Sequence, residues 1–200
     1  MEKDTEQQIL EAARKIFQKQ GFAGARMQEI ADAAGINKSM LHYYFRSKDK
    51  LFQKIFQEGV SRFFPLIMRV LNADKTLEEK ITVLVQEYLD FLRVNRQLPH
   101  FVIHEMNQHP KRFREFMEEK DMEIPSSFVE QVLEAVHKGR IQPVTPAQLL
   151  VNIISLCVFP FLAQNMVMAV MQMDEEQFDE FIEHRHKELP TFILNAIRTS

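Results

Sequence analysis

One stretch, residues 26–50, limits the fold of this chain more than any other. Its apolar residues recur at helical spacing on both sides of Gly35, which stands where a tight turn between two short helices favours a residue without a Cβ. Ala31 is small enough for the two helices to cross closely there. The apolar underside of the pair would comprise Ile30, Ile36, Leu41 and Phe45. This arrangement predicts a helix-turn-helix, a unit whose second helix enters the major groove of DNA.

The rest of the chain is predicted to be all-α. Only five glycines occur in 200 residues, and no alternating strand pattern with turn signals is present. The predicted helix N-caps are Asn37, Ser47, Thr76, Thr145 and Asp174. We expect an N-terminal three-helix helix-turn-helix DNA-binding head over residues 1–47. Residues 48–200 would then form a C-terminal helical body for ligand binding and dimerisation.

Charge is distributed unevenly along the chain. The whole sequence carries a net charge of −3. Residues 1–50 nevertheless contain nine Lys and Arg against seven Asp and Glu, whereas residues 51–200 contain sixteen against twenty-one. A locally basic end on an acidic body fits a protein that meets phosphate with that end.

The N-terminal quarter of the chain resembles the TetR (tetracycline repressor) family. The matching motifs are Gly21-Phe22, Ile30 to Ile36, Leu41, Tyr43-Tyr44-Phe45 and Ser47 to Leu51. Their combined spacing is far more specific than a helix-turn-helix pattern alone. The resemblance implies an all-helical homodimeric repressor with a DNA-binding head and a ligand-binding body.

The start of the third helix supplies the candidate base-reading residues. Its predicted cap places Lys38, Ser39 and Met40 in the first turn, the part that reaches base edges in helix-turn-helix proteins. Lys38 can donate to guanine O6 and N7, and Met40 can touch a thymine methyl group. The resemblance adds phosphate contacts by Tyr43 and Lys48. The complete predicted DNA-binding set is Arg26, Gln28, Asn37, Lys38, Ser39, Met40, His42, Tyr43 and Lys48.

Two positions depart from the family pattern. A hydroxyl residue usually begins the second helix, but Ala25 and Arg26 stand there, so we expect a weaker cap. Arg26 could replace the lost phosphate hydrogen bond with a charged one. His42 occupies a position where the family mostly has tyrosine. Both departures leave the fold intact and alter the surface that meets the operator.

The predicted body is rich in large, adaptable apolar side chains. The chain contains seventeen Phe and eleven Met but no Trp. The resemblance implies a ligand cavity, although packing in the core is the simpler explanation for any one of these residues. Pro65 and Pro160 would bend their helices and could widen the space between them. The predicted set for a largely apolar effector is Phe63, Phe64, Met68, Phe91, Phe101, His104, Phe128 and Phe159.

A long uncharged stretch points to an interface between subunits. No charged residue occurs between Arg140 and Asp174. This length could cross a bilayer, but polar residues interrupt it and no positive loops flank it. A helix that is apolar on all sides belongs in a core or a subunit interface. We therefore expect no membrane partner and a homodimer through the last two helices, each copy supplying half of a four-helix bundle.

Together these features predict a ligand-responsive transcriptional regulator of double-stranded DNA: a homodimeric repressor that a small molecule releases from a palindromic operator. The alternatives are a constitutive DNA-binding regulator or a metal-responsive one. His100, His104 and His109 suggest metal, but without further ligands at persuasive spacing they are a weak signal, so no metal site is predicted. No catalytic set or phosphate loop indicates an enzyme, and no cofactor is expected. The single Cys157 is typical of a reducing cytoplasm.

Overall fold

The structure is a computed structural model that describes residues 2–108, 110–119 and 123–199. Over these residues it comprises eleven α-helices and no β-strand, which confirms the all-α prediction. The helices are α1 (Glu2–Gly24), α2 (Met27–Ala33), α3 (Lys38–Tyr44), α4 (Lys48–Asn72), α5 (Leu77–Val94), α6 (Leu98–Gln108), α7 (Pro110–Glu119), α8 (Ser126–His137), α9 (Pro146–Leu162), α10 (Gln164–Met171) and α11 (Glu175–Ile197).

The helix starts follow the capping residues in the sequence. The side chains of Asn37, Thr76, Thr145 and Asp174 each accept a hydrogen bond from a backbone N–H three residues later. Thr76 and Asp174 form complete capping boxes, in which a Glu or Gln side chain bonds back to the cap. Ser47 Oγ accepts from the Lys50 N–H at 3.2 Å. The predicted caps are therefore confirmed.

The chain divides into two compact units, one ending at Ser61 and the other beginning at Arg62. This division falls within α4, so its residues 48–61 belong to the first unit and its residues 62–72 to the second. The predicted boundary after residue 47 concerns where the DNA-binding part ends, which this division does not test, so it stays a prediction.

The first unit is built on aromatic and aliphatic packing. Phe17 of α1 is fully buried, and its ring meets that of Phe52 edge-on with centroids 5.5 Å apart. The ring of Phe22 lies 4.8 Å from Phe52. Ile30 of α2 and Leu41 of α3 are also fully buried. These contacts determine which sides of the two short helices face outward.

The second unit is arranged around α5, which packs against α8, α9 and α11. The buried residues of α5 recur at helical spacing and are Leu77, Lys80, Ile81, Leu84, Val85, Tyr88, Leu89 and Leu92. Opposite them, Phe128 of α8, Ile153 of α9 and Phe178 of α11 are fully buried. An Arg93–Glu183 ion pair of 3.1 Å joins α5 to α11 at the surface. Exposed pairs of this kind contribute about 0–1 kcal/mol, so apolar burial holds the unit together.

The uncharged stretch forms two helices instead of one. α9 ends at Leu162 and α10 begins at Gln164, with a bend of 74° between them. Among the described residues no single helix is long and apolar enough to cross a membrane, and only this bent pair meets the criteria of length and composition. The part of the chain predicted as the last two helices therefore contains three, α9, α10 and α11.

A proline in α9 is compensated by an arginine from α11. Pro160 has no N–H, so it cannot donate to the carbonyl of Leu156 one helical turn earlier. Arg185 donates to that carbonyl instead, through Nε at 3.2 Å and Nη2 at 2.7 Å. Burial lowers the pKa of Arg185, with nearby Cys157 opposing the shift. The guanidinium nevertheless stays charged because arginine ordinarily titrates above pH 12.

This compensation can be measured with a double-mutant cycle. Arg185→Ala should lower the free energy of unfolding by about 1.5–3 kcal/mol, because the hydrogen bonds come from a charged donor. In a Pro160→Ala background, the restored N–H can bond to Leu156, so the same arginine change should cost at least ~1 kcal/mol less. Urea unfolding at one fixed protein concentration gives all four values. Equal losses in the two backgrounds would show that Arg185 does not replace the missing bond.

Candidate functional site

The turn between α2 and α3 is closed by backbone hydrogen bonds. Gly35 has a φ of +67°, in the left-handed region that glycine favours. Its N–H donates to the Asp32 carbonyl at 3.1 Å, and the Ile36 N–H donates to the Ala31 carbonyl at 3.0 Å. This pair of bonds is the Schellman arrangement that ends many helices. The turn therefore has a single well-determined course, which leads directly into α3.

Helix α3 buries one residue and turns most of the others outward. Leu41 is fully buried in the first unit. The exposed residues are Lys38, Ser39, Met40, His42 and Tyr43. Tyr43 is 77% exposed, which excludes a core role for it in this unit. Tyr44 is half-buried and its ring meets that of Tyr43 edge-on at 5.5 Å. The structure thus brings the five predicted residues of α3 onto exposed surface.

Three further predicted residues lie at the borders of α2 and α3. Arg26 precedes α2, is exposed and makes no capping hydrogen bond, in agreement with the weak cap expected there. Gln28 donates through Nε2 to Asp32 Oδ1 at 2.8 Å, so part of its amide is engaged within α2. Asn37 Oδ1 accepts from the Met40 N–H at 2.8 Å. Its oxygen thus stabilises the first turn of α3.

Lys48 makes contacts that the sequence does not predict. Its Nζ donates to the carbonyls of Phe22 at 2.8 Å, Ala25 at 3.1 Å and Ala23 at 3.4 Å. The same ammonium lies 4.5 Å from the centroid of the Phe22 ring, in a cation–π arrangement. All of these partners belong to the segment 22–25, which consists of the last residues of α1 after the kink at Gly21 (φ +69°) and of Ala25 just beyond that helix. Lys48 therefore fastens the start of α4 to this segment.

A cavity of about 280 Å³ lies in the second unit between α4, α5, α6 and α9. Its lining is nearly all hydrocarbon and aromatic, formed by Phe63, Phe64, Ile67, Tyr88, Phe91, Leu92, Leu98, Pro99, Val102, Ile103, Met106, Ile154, Val158 and Leu162. Phe63 is at the centre of an aromatic cluster, with its ring centroid 4.7 Å from Tyr88 and 5.4 Å from Phe91. The volume is close to the lower end of the range for small-molecule sites.

Only part of the predicted ligand set lines this cavity. Phe63, Phe64 and Phe91 line it, whereas the structure places the other five elsewhere. Met68 packs against the core, Phe101 and Phe128 are buried outside the lining, His104 is half-buried on α6 and Phe159 is 53% exposed on α9. On α6 the lining residues recur three and four positions apart. His104 lies off that stripe, which explains its absence from the lining.

Tyr88 is the functional candidate that the sequence did not single out. It is the only residue with a hydroxyl group among those that line the cavity. Burial raises the pKa of Tyr88, and nearby Cys157 adds to the shift. Burial likewise raises the pKa of Cys157 to about 12, so both groups are neutral at physiological pH. The signal available in the sequence is a tyrosine within a mostly apolar stripe of α5.

Within the described ranges, no group of three or more His, Cys, Asp or Glu side chains is placed so that it could hold a metal ion. His100 is exposed and His104 is half-buried, both on α6, whereas His109 lies outside the described residues.

The N-terminal unit matches a known family. The family model for bacterial regulatory proteins of the tetR family matches residues 9–55, which include α2, α3 and Lys48. The chain is also 27% identical to the Bacillus subtilis protein "Probable HTH-type transcriptional regulator YttP", covering 100% of this chain and 97% of that protein. Residues 9–55 therefore have the sequence of the N-terminal region of the tetR family. The matching family and this relative are both described as regulators, and the relative as a transcriptional one.

Two solved structures share the fold of this chain. The ketosteroid transcriptional regulator KstR2 of Mycobacterium tuberculosis superposes with a TM-score of 0.74 at 14% identity, covering 98% of this chain and 95% of that one. AibR, solved in complex with isovaleryl coenzyme A and operator DNA, gives a TM-score of 0.60 at 23% identity, covering 78% and 85%. At these identities the likeness concerns the fold.

The role of Lys48 in the first unit can be tested by removing its charge. Lys48→Met keeps most of the side-chain length but loses the ammonium that bonds to three carbonyls. We expect the free energy of unfolding to fall by about 1.5–3 kcal/mol, as for a hydrogen-bonded charged group. Lys50→Met, at an exposed neighbour in the same helix, is the matched control and should change it by under ~0.5 kcal/mol. Denaturant unfolding measures both, and equal small effects would contradict the contact.

Proposed function

We propose that this protein is a ligand-responsive repressor that binds a palindromic DNA operator as a homodimer and leaves it when a small molecule enters its body. Its DNA-binding part is supported above all by the exposed first turn of α3. Lys38 and Ser39 follow directly on the Asn37 cap and are exposed. Repression in particular is supported by the family, whose members are typically repressors.

In the proposed complex, α3 lies in the major groove. Lys38 donates to guanine, Ser39 bonds to a base edge, and Met40 packs on a thymine methyl group. Tyr43 and Arg26 contact the phosphate backbone, where a phenol and a guanidinium are both good donors. The remaining members of the predicted set, Gln28, Asn37 and His42, support or border this surface.

Lys48 enters the proposal as a phosphate contact that must share its ammonium with backbone carbonyls. A direct phosphate contact reduces the slope of log affinity against log salt by about 0.9 when the lysine is removed. A lysine that only positions α4 weakens DNA binding without changing that slope. The salt dependence of the Lys48→Met protein thus separates the two roles.

The proposed dimer covers apolar residues that are exposed in one chain. Phe159 of α9 is 53% exposed and Phe192 of α11 is 61% exposed. Val151 on α9 and Val170 and Met171 on α10 are also more than half exposed. Exposed apolar side chains that gather in consecutive helices are typical of subunit interfaces. A second copy would cover them with the same helices, as two-fold symmetry requires.

The proposed effector site is the cavity of the second unit. Phe63, Phe64 and Ile67 line it from α4, the helix that begins at Lys48 in the DNA-binding unit. A ligand that prefers one position of α4 would shift the equilibrium between two spacings of the heads. Two heads in register bind far more tightly than one, so a small change of spacing releases DNA.

The base-reading role of Lys38 gives the direct test of the proposal. An operator is first selected by the full-length protein from random duplex sequences. Lys38→Ala should then relax the preference at one base pair in each half-site, a loss of about 1–3 kcal/mol in discrimination. Gel shifts on single-base variants of the operator measure it. Lys75→Ala removes the charge of an exposed lysine in the second unit and should leave the preference intact. An unchanged preference in Lys38→Ala would overturn the assignment.

A further inference from the structure

We infer that the cavity of the second unit takes an uncharged ligand of about nine or ten heavy atoms that is apolar except for one polar group at one end. This inference rests on the proposed function, because it specifies the chemical class of the effector for the same site. It depends on the lining, the volume of the cavity and the presence of a hydroxyl-bearing side chain, Tyr88, among the described lining residues. Each of these excludes a different class of molecule.

The lining excludes a buried charge. None of the described residues that line the cavity is Lys, Arg, His, Asp or Glu. A carboxylate placed inside would lose its hydration and find no cation to replace it, which costs far more than hydrophobic burial returns. Neutral molecules carry no such penalty. The site should therefore discriminate between compounds that share a hydrocarbon chain but differ in charge.

The volume limits the size of the ligand. A water molecule occupies about 30 Å³ in the liquid, and the cavity measures about 280 Å³. A methylene group is of similar size, so a chain of about eight carbons with one oxygen fills the space. Because the cavity is open to solvent on one side, the far end of a longer molecule would extend into water and bury no further hydrocarbon there.

The polar contact of the inferred ligand is assigned to Tyr88, one of the residues that line the cavity. Tyr88 is 5% exposed and its ring packs 4.7 Å from that of Phe63. A tyrosine phenol is protonated at physiological pH, and burial raises the pKa of Tyr88 further, so this group is available as a hydrogen-bond donor to a hydroxyl, carbonyl or ether oxygen. An anion gains only this one donor, which does not replace a hydration shell.

The test compares 1-octanol with octanoate, which share a chain length and differ in charge. Isothermal titration calorimetry of the full-length protein at pH 7.5 should show 1-octanol binding at least about tenfold more tightly. Octanoate binding within twofold of 1-octanol would overturn the inference, since its charged end would then lie in water. Failure of both probes to bind would overturn it as well.

Two variants locate the binding. Tyr88→Phe removes one oxygen and should lower the affinity for 1-octanol by about threefold to tenfold, which corresponds to one hydrogen bond. An unchanged affinity would show that the Tyr88 hydroxyl does not contact the ligand. Val158→Phe fills the cavity and should abolish binding. Its matched control is Val94→Phe, at a position that is 80% exposed at the end of α5, which should bind normally. Thermal melting of each variant confirms that it is folded.

Failure of the ligand inference can be distinguished from failure of the proposed function. Operator affinity is measured in parallel with and without 1-octanol. Binding of 1-octanol without any effect on operator affinity would leave the ligand class intact and overturn release from DNA by this compound class. If 1-octanol instead abolished operator binding while neither probe gave a heat of binding to the protein, release from DNA would stand and the inferred ligand class would be overturned.

Discussion

The orientation of α3 depends on the burial of a single side chain, Leu41. A helix of seven residues has little stability of its own, so its surroundings must determine how it lies. The Asn37 cap fixes where it begins, and the Schellman turn at Gly35 fixes the direction from which the chain arrives. With Leu41 held in the core, the first turn of α3 has to face outward. The candidate DNA surface is thus a consequence of packing on the opposite side of the same helix.

The sequence predicts this part of the molecule well because its signals are local. Gly35 and the Asn37 cap act within four residues of their own positions, and the same holds for the capping boxes at Thr76 and Asp174. Lys48 is different, since its carbonyl partners stand between 23 and 26 residues away. A pattern of residue types contains no information about such a contact until the backbone is placed.

The cavity is the least predictable feature for the same reason. Phe63 and Phe128 are the same residue type in equally apolar surroundings, yet one lines the cavity and the other is wholly buried in the core. Their difference arises from how four helices meet. The sequence does not distinguish Tyr88 from a core residue, because a tyrosine at helical spacing is typical of the core, and Tyr88 is indeed buried there. Its significance comes from being the hydroxyl-bearing residue in the lining.

Helix α9 connects several of these features through its periodicity. Ile154, Val158 and Leu162, four residues apart, line the cavity. On another side of α9, the carbonyl of Leu156 accepts two hydrogen bonds from the guanidinium of Arg185 in α11. The exposed Phe159 belongs to the surface assigned to a second copy. A ligand that moves this helix would therefore act on the cavity wall and on the proposed interface together.

The central claim is that two heads bind DNA at once, in a fixed register about a two-fold axis. The most direct measurement is the affinity of the full-length protein for its selected operator after five base pairs are inserted between the half-sites, about half a helical turn. We predict that the insertion lowers affinity by roughly a hundredfold or more, to that of a single half-site. Unchanged affinity, together with a monomeric mass by light scattering, would contradict the account.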